Sequence, residues 1–184
     1  MRTPPAAHLR PWSPADAPVL RAASADPELA RQLGGSPFDD AAAAAAFIAT
    51  RYRHDDHARN WAVDDGTGTV VGSVGVTSVE YGHGTAWISY WLTPAVRGRG
   101  LATRALVSAV EDAFALGLHR LELGHRTDNP DSCGVATRAG FAAEGIERER
   151  LRYGDERFDV ETHARLATDP APDVRPLPIA ATES

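Results

Sequence analysis

The stretch PAVRGRGLATRALVSAVEDAF, residues 94–114, decides how the chain is read. Gly98 and Gly100 alternate with Arg97 and Arg99. From Leu101 the apolar residues Leu101, Ala105, Leu106, Ala109, Val110, Ala113 and Phe114 recur at helical spacing. A glycine-rich turn feeding a helix offers closely approachable backbone amides and the unpartnered N–H groups of the first helical turn, which together favour an anion. Arg97 or Arg99 can add a charge-assisted contact. The alternative reading of the segment is a tight strand-to-helix turn with two surface arginines. Two phosphate motifs do not fit: there is no GxxxxGK[ST] run, and Thr103 stands where the third glycine of GxGxxG belongs.

Outward from this segment the patterns alternate between strand and helix. GTAWISYWL (84–92) sets Trp87, Ser89 and Trp91 opposite Ile88, Tyr90 and Leu92, which predicts a strand ended by Pro94. NWAVDDGTGTVVGSVGVTSV (60–79) predicts two strands around a glycine-rich turn, with Val70, Gly72, Val74 and Val76 on one face. HLRPW (8–12) reads as a short opening strand. SPADAPVLRAA (13–23) follows as a helix, with Ser13 as cap, Pro14 at the first position and Asp16 in the first turn. DDAAAAAAFIATRYRHDD (39–56) predicts a second helix. Beyond the long helix, closed by Gly117, come a strand in HRLELGH (119–125) and a short helix in NPDSCGVATRAGF (129–141). FAAEGIERERLRYG (141–154) and ERFDVETHARLA (156–167) then form an antiparallel pair. The expectation is one domain over 1–167 and a flexible tail over 168–184, which holds four prolines in seventeen residues.

Composition narrows the class. A chain of 184 residues is one domain with room for a core, and 43% hydrophobic with 24% charged residues is ordinary for a globular protein. A net charge of -6 argues against nucleic acid as a direct substrate. The single cysteine, Cys133, rules out an internal disulfide framework. No long apolar run or signal-peptide core appears, so a cytoplasmic location without membrane attachment is expected. The seven histidines are scattered, HDDH (54–57) reads as a solvated helix end, and no metal is expected.

The segments ISYWLTPAVRGRGLATRAL (88–106) and RLELGHRTDNPDSCGVATRAGFAAEG (120–145) resemble the GNAT acyl-CoA N-acyltransferases, in particular the branch of ribosomal-protein N-terminal acetyltransferases. Arg97, Gly100 and Ala102 meet that family's cofactor signature, and the similarity runs over residues 7–167. The resemblance implies an α+β, three-layer fold: a mixed, mostly antiparallel twisted sheet of six to seven strands flanked by about four helices. It implies acetyl-CoA as donor, its pyrophosphate held by the amides between Arg97 and Ala102. The implied cofactor set is Leu92, Arg97, Gly98, Arg99, Gly100, Leu101, Ala102, Thr103, Asn129 and Ser132. Pantetheine would enter a V-shaped split between the strand ending near Leu92 and the strand around Leu121–Leu123.

Acyl transfer to an amine needs a neutral nucleophile, an aligned thioester and a proton or hydrogen bond for the leaving thiolate. By the resemblance, Asn129 and Ser132 lie beside pantetheine, and Ser132 is the first candidate to protonate the sulfur; both also suit the start of a short helix. Tyr90 is a second acid candidate, although WISYWL suits a core strand equally. Glu80, then His83, are candidate bases, each with a turn or surface role as the alternative. Cys133 reads as packing rather than as a nucleophile. The expected acceptor is a peptide or protein N-terminal α-amine, with a small amine, amino acid or antibiotic as alternative. An acyl-CoA-binding module without turnover is the reading of a different class. Variable loops at 34–40, 51–60 and 151–158 would shape the acceptor groove, in a monomer or homodimer.

Overall fold

In the computed structural model, which describes residues 6–33 and 35–180, the strands are β1 (His8–Pro11), β2 (Arg59–Asp64), β3 (Val70–Glu80), β4 (Thr85–Leu92), β5 (Arg120–Arg126), β6 (Ala142–Tyr153) and β7 (Glu156–Leu166). The α-helices are α1 (Ala17–Ala23), α2 (Pro27–Gln32), α3 (Ala41–Arg51), α4 (Leu101–Ala115) and α5 (Pro130–Arg138). The strands form one sheet in the order β1-β2-β3-β4-β5-β7-β6, and every pairing is antiparallel except β4 with β5. The expected α+β, three-layer architecture is therefore present. Residues 1–5, 34 and 181–184, which include both outer ends of the expected 1–167 and 168–184 division, lie outside the described residues.

Each sheet face buries its own apolar cluster, as alternating side chains require. Trp61, Val63, Val74, Val76, Ile88, Leu121 and Leu123 pack beneath α4 and α5. Ala62, Val70 and Trp91 pack beneath α1 and α3, against Trp12, Leu20 and Ile48. Val70 thus leaves the face that alternation assigned to it. The β2–β3 register shifts where Asp64 pairs with Val70 while Val63 pairs with Gly72, and this bulge turns Val71 instead into the α4 side.

Local chemistry fixes the elements around this core. Ser13 and Asp16 form a capping box around a short 3-10 turn, Pro14–Asp16, that leads into α1. Arg10 on β1 joins Asp16 through two bonds of 2.9 and 2.8 Å and reaches Asp64 at 3.2 Å, tying that turn to the sheet. Within the tail, expected to be loose, the described stretch 168–180 packs against the fold at Leu177. Leu177 is buried, its amide donates to Ser108 Oγ on α4 at 2.7 Å, and that hydroxyl donates to the Leu177 carbonyl at 2.9 Å. Ile179 bridges Leu9 in parallel, with Leu9 N–H donating to the Pro178 carbonyl and Ala180 N–H donating to the Leu9 carbonyl, so residues 178–180 cover the outer edge of β1 at Leu9.

Candidate active site

The sheet opens between its two parallel strands. β4 and β5 pair only at Thr85, Ala86 and Trp87 with Arg120, Leu121 and Glu122. Beyond Trp87 they diverge, and a cavity of about 260 Å³ takes the space. Trp87, Ile88, Ser89 and Tyr90 form one wall, and Leu123, Gly124, His125 and Arg126 the other. At the base of the split the Trp87 ring lies so close to Gly124 that a Cβ there would sit 3.2 Å from it. The expected split between these strands is the observed one.

The turn at the far end of β4 is shaped for amides. Gly98 (φ 75°) and Gly100 (φ 73°) both take the left-handed conformation that other residues avoid. Gly100 caps α4 with no side-chain bond, and the first helical bond begins at Arg104 N–H, donated to the Gly100 carbonyl at 3.1 Å. The N–H groups of Leu101, Ala102 and Thr103 are therefore left without a helical acceptor at the positive end of the helix dipole. α2, α3 and α5, by contrast, are closed by Asp26, Asp40 and Asn129. Arg97 folds back, its Nε donating to the Leu92 carbonyl at 3.0 Å, while Arg99 is exposed. The Thr103 hydroxyl is buried, so this residue offers its amide and not its side chain.

At the near end, α5 brings Asn129 and Ser132 to the cavity rim. Asn129 Oδ1 accepts from Ser132 N–H at 3.1 Å, which spends the oxygen on the cap and leaves the amide NH2 for a ligand. Tyr90 donates its phenolic hydrogen to the Ser132 carbonyl at 3.1 Å, and burial pushes the phenol up to about 12. Neither bond engages the Ser132 hydroxyl.

Glu80 and His83 stand elsewhere. Both belong to the β3–β4 hairpin, at the end where β4 is still paired with β5. Gly84 in that turn accepts from His119 and Arg120, and Glu80 Oε1 accepts from Gly82 N–H at 2.8 Å. Glu80 pairs with Thr85, about 16 Å along the strand from Tyr90, so the base candidates are separated from the acid candidates.

Other residues fill the outer wall. Glu28, Arg31 and Gln32 of α2 and Leu151 and Tyr153 of β6 line it. The segment 151–158 therefore contributes to the groove as expected, whereas 35–40 and 51–60 do not line it and residue 34 lies outside the described residues. The signal for α2 was present in Asp26-Pro27-Glu28, an acceptor cap followed by proline at the first position. The scattered histidines also converge: His125 and His163 approach to 3.0 Å, beside Cys133 and Glu161.

A sheet split between parallel strands has, at one end, a glycine-capped helix whose first amides are free of any side-chain acceptor. The model of the acetyltransferase (GNAT) domain matches residues 7–142, and the chain belongs to that family. Over 98 residues it is 33% identical to the ribosomal-protein-serine acetyltransferase of Escherichia coli (strain K12), covering 53% of this chain and 55% of that one. Over 96 residues it is 27% identical to the spermidine N(1)-acetyltransferase of Vibrio cholerae serotype O1, covering 52% and 56%. The chain thus spans about half the length of the curated relatives it matches. The solved structure of the microcin C7 self-immunity acetyltransferase MccE, in complex with acetyl-CoA and AMP, aligns with a TM-score of 0.78 at 20% identity, over 88% of this chain and 92% of that one. At that identity the likeness is one of fold.

Proposed function

We propose that the chain transfers an acetyl group from acetyl-CoA to a primary amine, and that the acceptor is the N-terminal α-amine of a peptide or protein. The amides of residues 101–103 suit the pyrophosphate, and the split between β4 and β5 suits the pantetheine arm. Attack by the amine forms the C–N bond as the C–S bond breaks. The Ser132 hydroxyl lines the cavity and is free to donate to the departing thiolate, whereas the Tyr90 hydrogen is already given to a carbonyl.

The observation that carries the acceptor class is the charge of the outer wall. Among the residues lining the cavity, Glu28 is the only carboxylate, and it is paired with Arg31 and approached by Arg126 at 3.8 Å. Arg126 is itself paired with Asp128 at 2.8 and 2.6 Å, so a polycationic amine would meet a wall whose charges are already matched, with no carboxylate left over to receive it. A single α-amine, with an ordinary pKa near 8, is substantially neutral at mildly alkaline pH and asks less of a base. That demand fits a cleft from which Glu80 and His83 are absent.

The test is CoA thiol release from acetyl-CoA with N-terminal peptides, free amino acids, polyamines and aminoglycosides as acceptors. Peptide-dependent release above the acceptor-free rate is expected. Release with polyamines or aminoglycosides alone would overturn the acceptor class. Verified CoA binding with no release by any acceptor would favour a non-catalytic acyl-CoA-binding module.

A further inference from the structure

Four side chains to which the transfer reaction assigns no step converge beneath α5, and one of them, His125, also forms part of the cavity wall. On the sheet, His125 of β5 stands directly opposite Glu161 of β7, and His163 lies two residues further along the same face. Cys133 descends from α5. One donor atom from each lies within 4.8 Å of all the others. Three of them close a triangle. His125 Nε2 to His163 Nε2 is 3.0 Å, His163 Nε2 to Glu161 Oε2 is 3.1 Å, and His125 Nε2 to Glu161 Oε2 is 3.3 Å.

Hydrogen bonding alone fills this triangle poorly. His125 Nδ1 lies 2.9 Å from the Arg126 carbonyl oxygen, which can only accept, so Nδ1 holds the hydrogen and the neutral ring presents a bare Nε2 to the centre. The Glu161 carboxylate is also an acceptor. One hydrogen on His163 Nε2 would then have to serve both. A cation at the centre uses all three lone pairs together.

The donor set also selects the cation. Two imidazoles and a thiolate suit a borderline transition ion and not Mg²⁺ or Ca²⁺, which require oxygen. Zinc–nitrogen bonds of about 2.0–2.1 Å set tetrahedral neighbours roughly 3.3 Å apart, close to the observed triangle. The backbone bond to His125 Nδ1 is the outer-shell contact that orients a ligating imidazole. Charge balances as well: a thiolate and a carboxylate neutralise a divalent ion, at a site where both histidines are buried and Cys133 and Glu161 half-buried.

We propose that His125, Cys133, Glu161 and His163 bind one Zn²⁺ ion that fastens α5 to β5 and β7. Binding releases the Cys133 thiol proton to solvent, and His163 moves its hydrogen from Nε2 to Nδ1. With four protein ligands the ion is closed to substrate and acts as a structural clasp, holding the helix that carries Asn129 and Ser132.

The experiment uses the full chain free of any polyhistidine tag, stripped with chelator and titrated with Zn²⁺ by calorimetry. Co²⁺ serves as the spectroscopic substitute. One ion per chain is expected, together with a tetrahedral Co²⁺ spectrum carrying a thiolate charge-transfer band. Cys133→Ser should abolish that band and weaken zinc binding at least about 10-fold, as should His163→Gln. His57→Gln, an exposed residue outside the cluster, should leave both unchanged. The absence of saturable zinc binding by the unaltered chain at micromolar concentration would overturn the proposal. So would binding that persists unchanged in both Cys133→Ser and His163→Gln. Neither readout involves acetyl transfer.

Discussion

Tyr90 on β4 reaches across the open split and donates its only hydroxyl hydrogen to the Ser132 carbonyl on α5. The bond ties β4 to α5 at the place where backbone pairing between β4 and β5 has ceased. Tyr90→Phe is therefore expected to cost about 1 kcal/mol of stability, the ordinary net value of such a bond. It should change kcat far less than Ser132→Ala, which is expected to lower kcat by about 10²-fold with little effect on CoA affinity. Equal kcat losses in the two variants, measured by thiol release, would show that the phenol takes part in the chemistry.

At Gly100 an added Cβ would meet nothing within 4 Å, so only the backbone conformation restricts the position. Gly100→Ala should cost about 1–2 kcal/mol through the left-handed φ. Relief of that strain would re-aim the amides of residues 101–103. Calorimetric titration with CoA should then show roughly tenfold weaker binding, about 1.4 kcal/mol. Unchanged affinity would mean that these amides do not hold the ligand.

The Asp16–Arg10 pair gives a pH-dependent outcome. Burial alone would raise the Asp16 carboxyl, but Arg10 and the Ser13 amide outweigh it and hold it below the ordinary carboxylate range. A carboxylate lowered by folding stabilises fully above its unfolded pKa of about 3.9, and that contribution is lost as pH falls through the folded value. Asp16→Asn should cost about 2 kcal/mol near neutrality. Urea midpoints of the variant and the parent should converge as pH drops below about 4. A gap independent of pH would assign the loss to packing.

Leu177 is 3% exposed although it sits in a proline-rich tail. Leu177→Ala should destabilise the fold by about 2–4 kcal/mol, as deletion of a core leucine does. Urea unfolding monitored by tryptophan fluorescence would register it. A change under 0.5 kcal/mol would mean that the tail adds nothing to the core.

What the sequence made legible was local. The alternation in 84–92, the glycines at 98 and 100 and the helical spacing after Leu101 lie within one short stretch, and strand, turn and helix follow there. The sequence is silent where distant residues decide. Val70 changes face because a bulge against β2 shifts the register. Glu80 and His83 are close to Tyr90 in sequence, yet pairing with β5 closes their end of β4 and opens the other. Leu177 finds Ser108 on α4, 69 residues away, and His125 finds His163 at a separation of 38. No periodicity within a window reports such partners. α2, at six residues, is too short for a hydrophobic period to emerge.

The parallel bridge between Leu9 and Ile179 sets the first strand and the tail about one strand spacing apart, near 4.8 Å. Because the two segments run parallel, a circular permutant would need a crossover linker of about a dozen residues to carry the chain back from the tail to β1, and it would be reopened at the exposed Gly154–Asp155 turn. Every strand would keep its neighbours in such a molecule. The new ends would emerge at the β6–β7 hairpin, next to the outer wall of the cleft, where a tethered peptide could be presented to it.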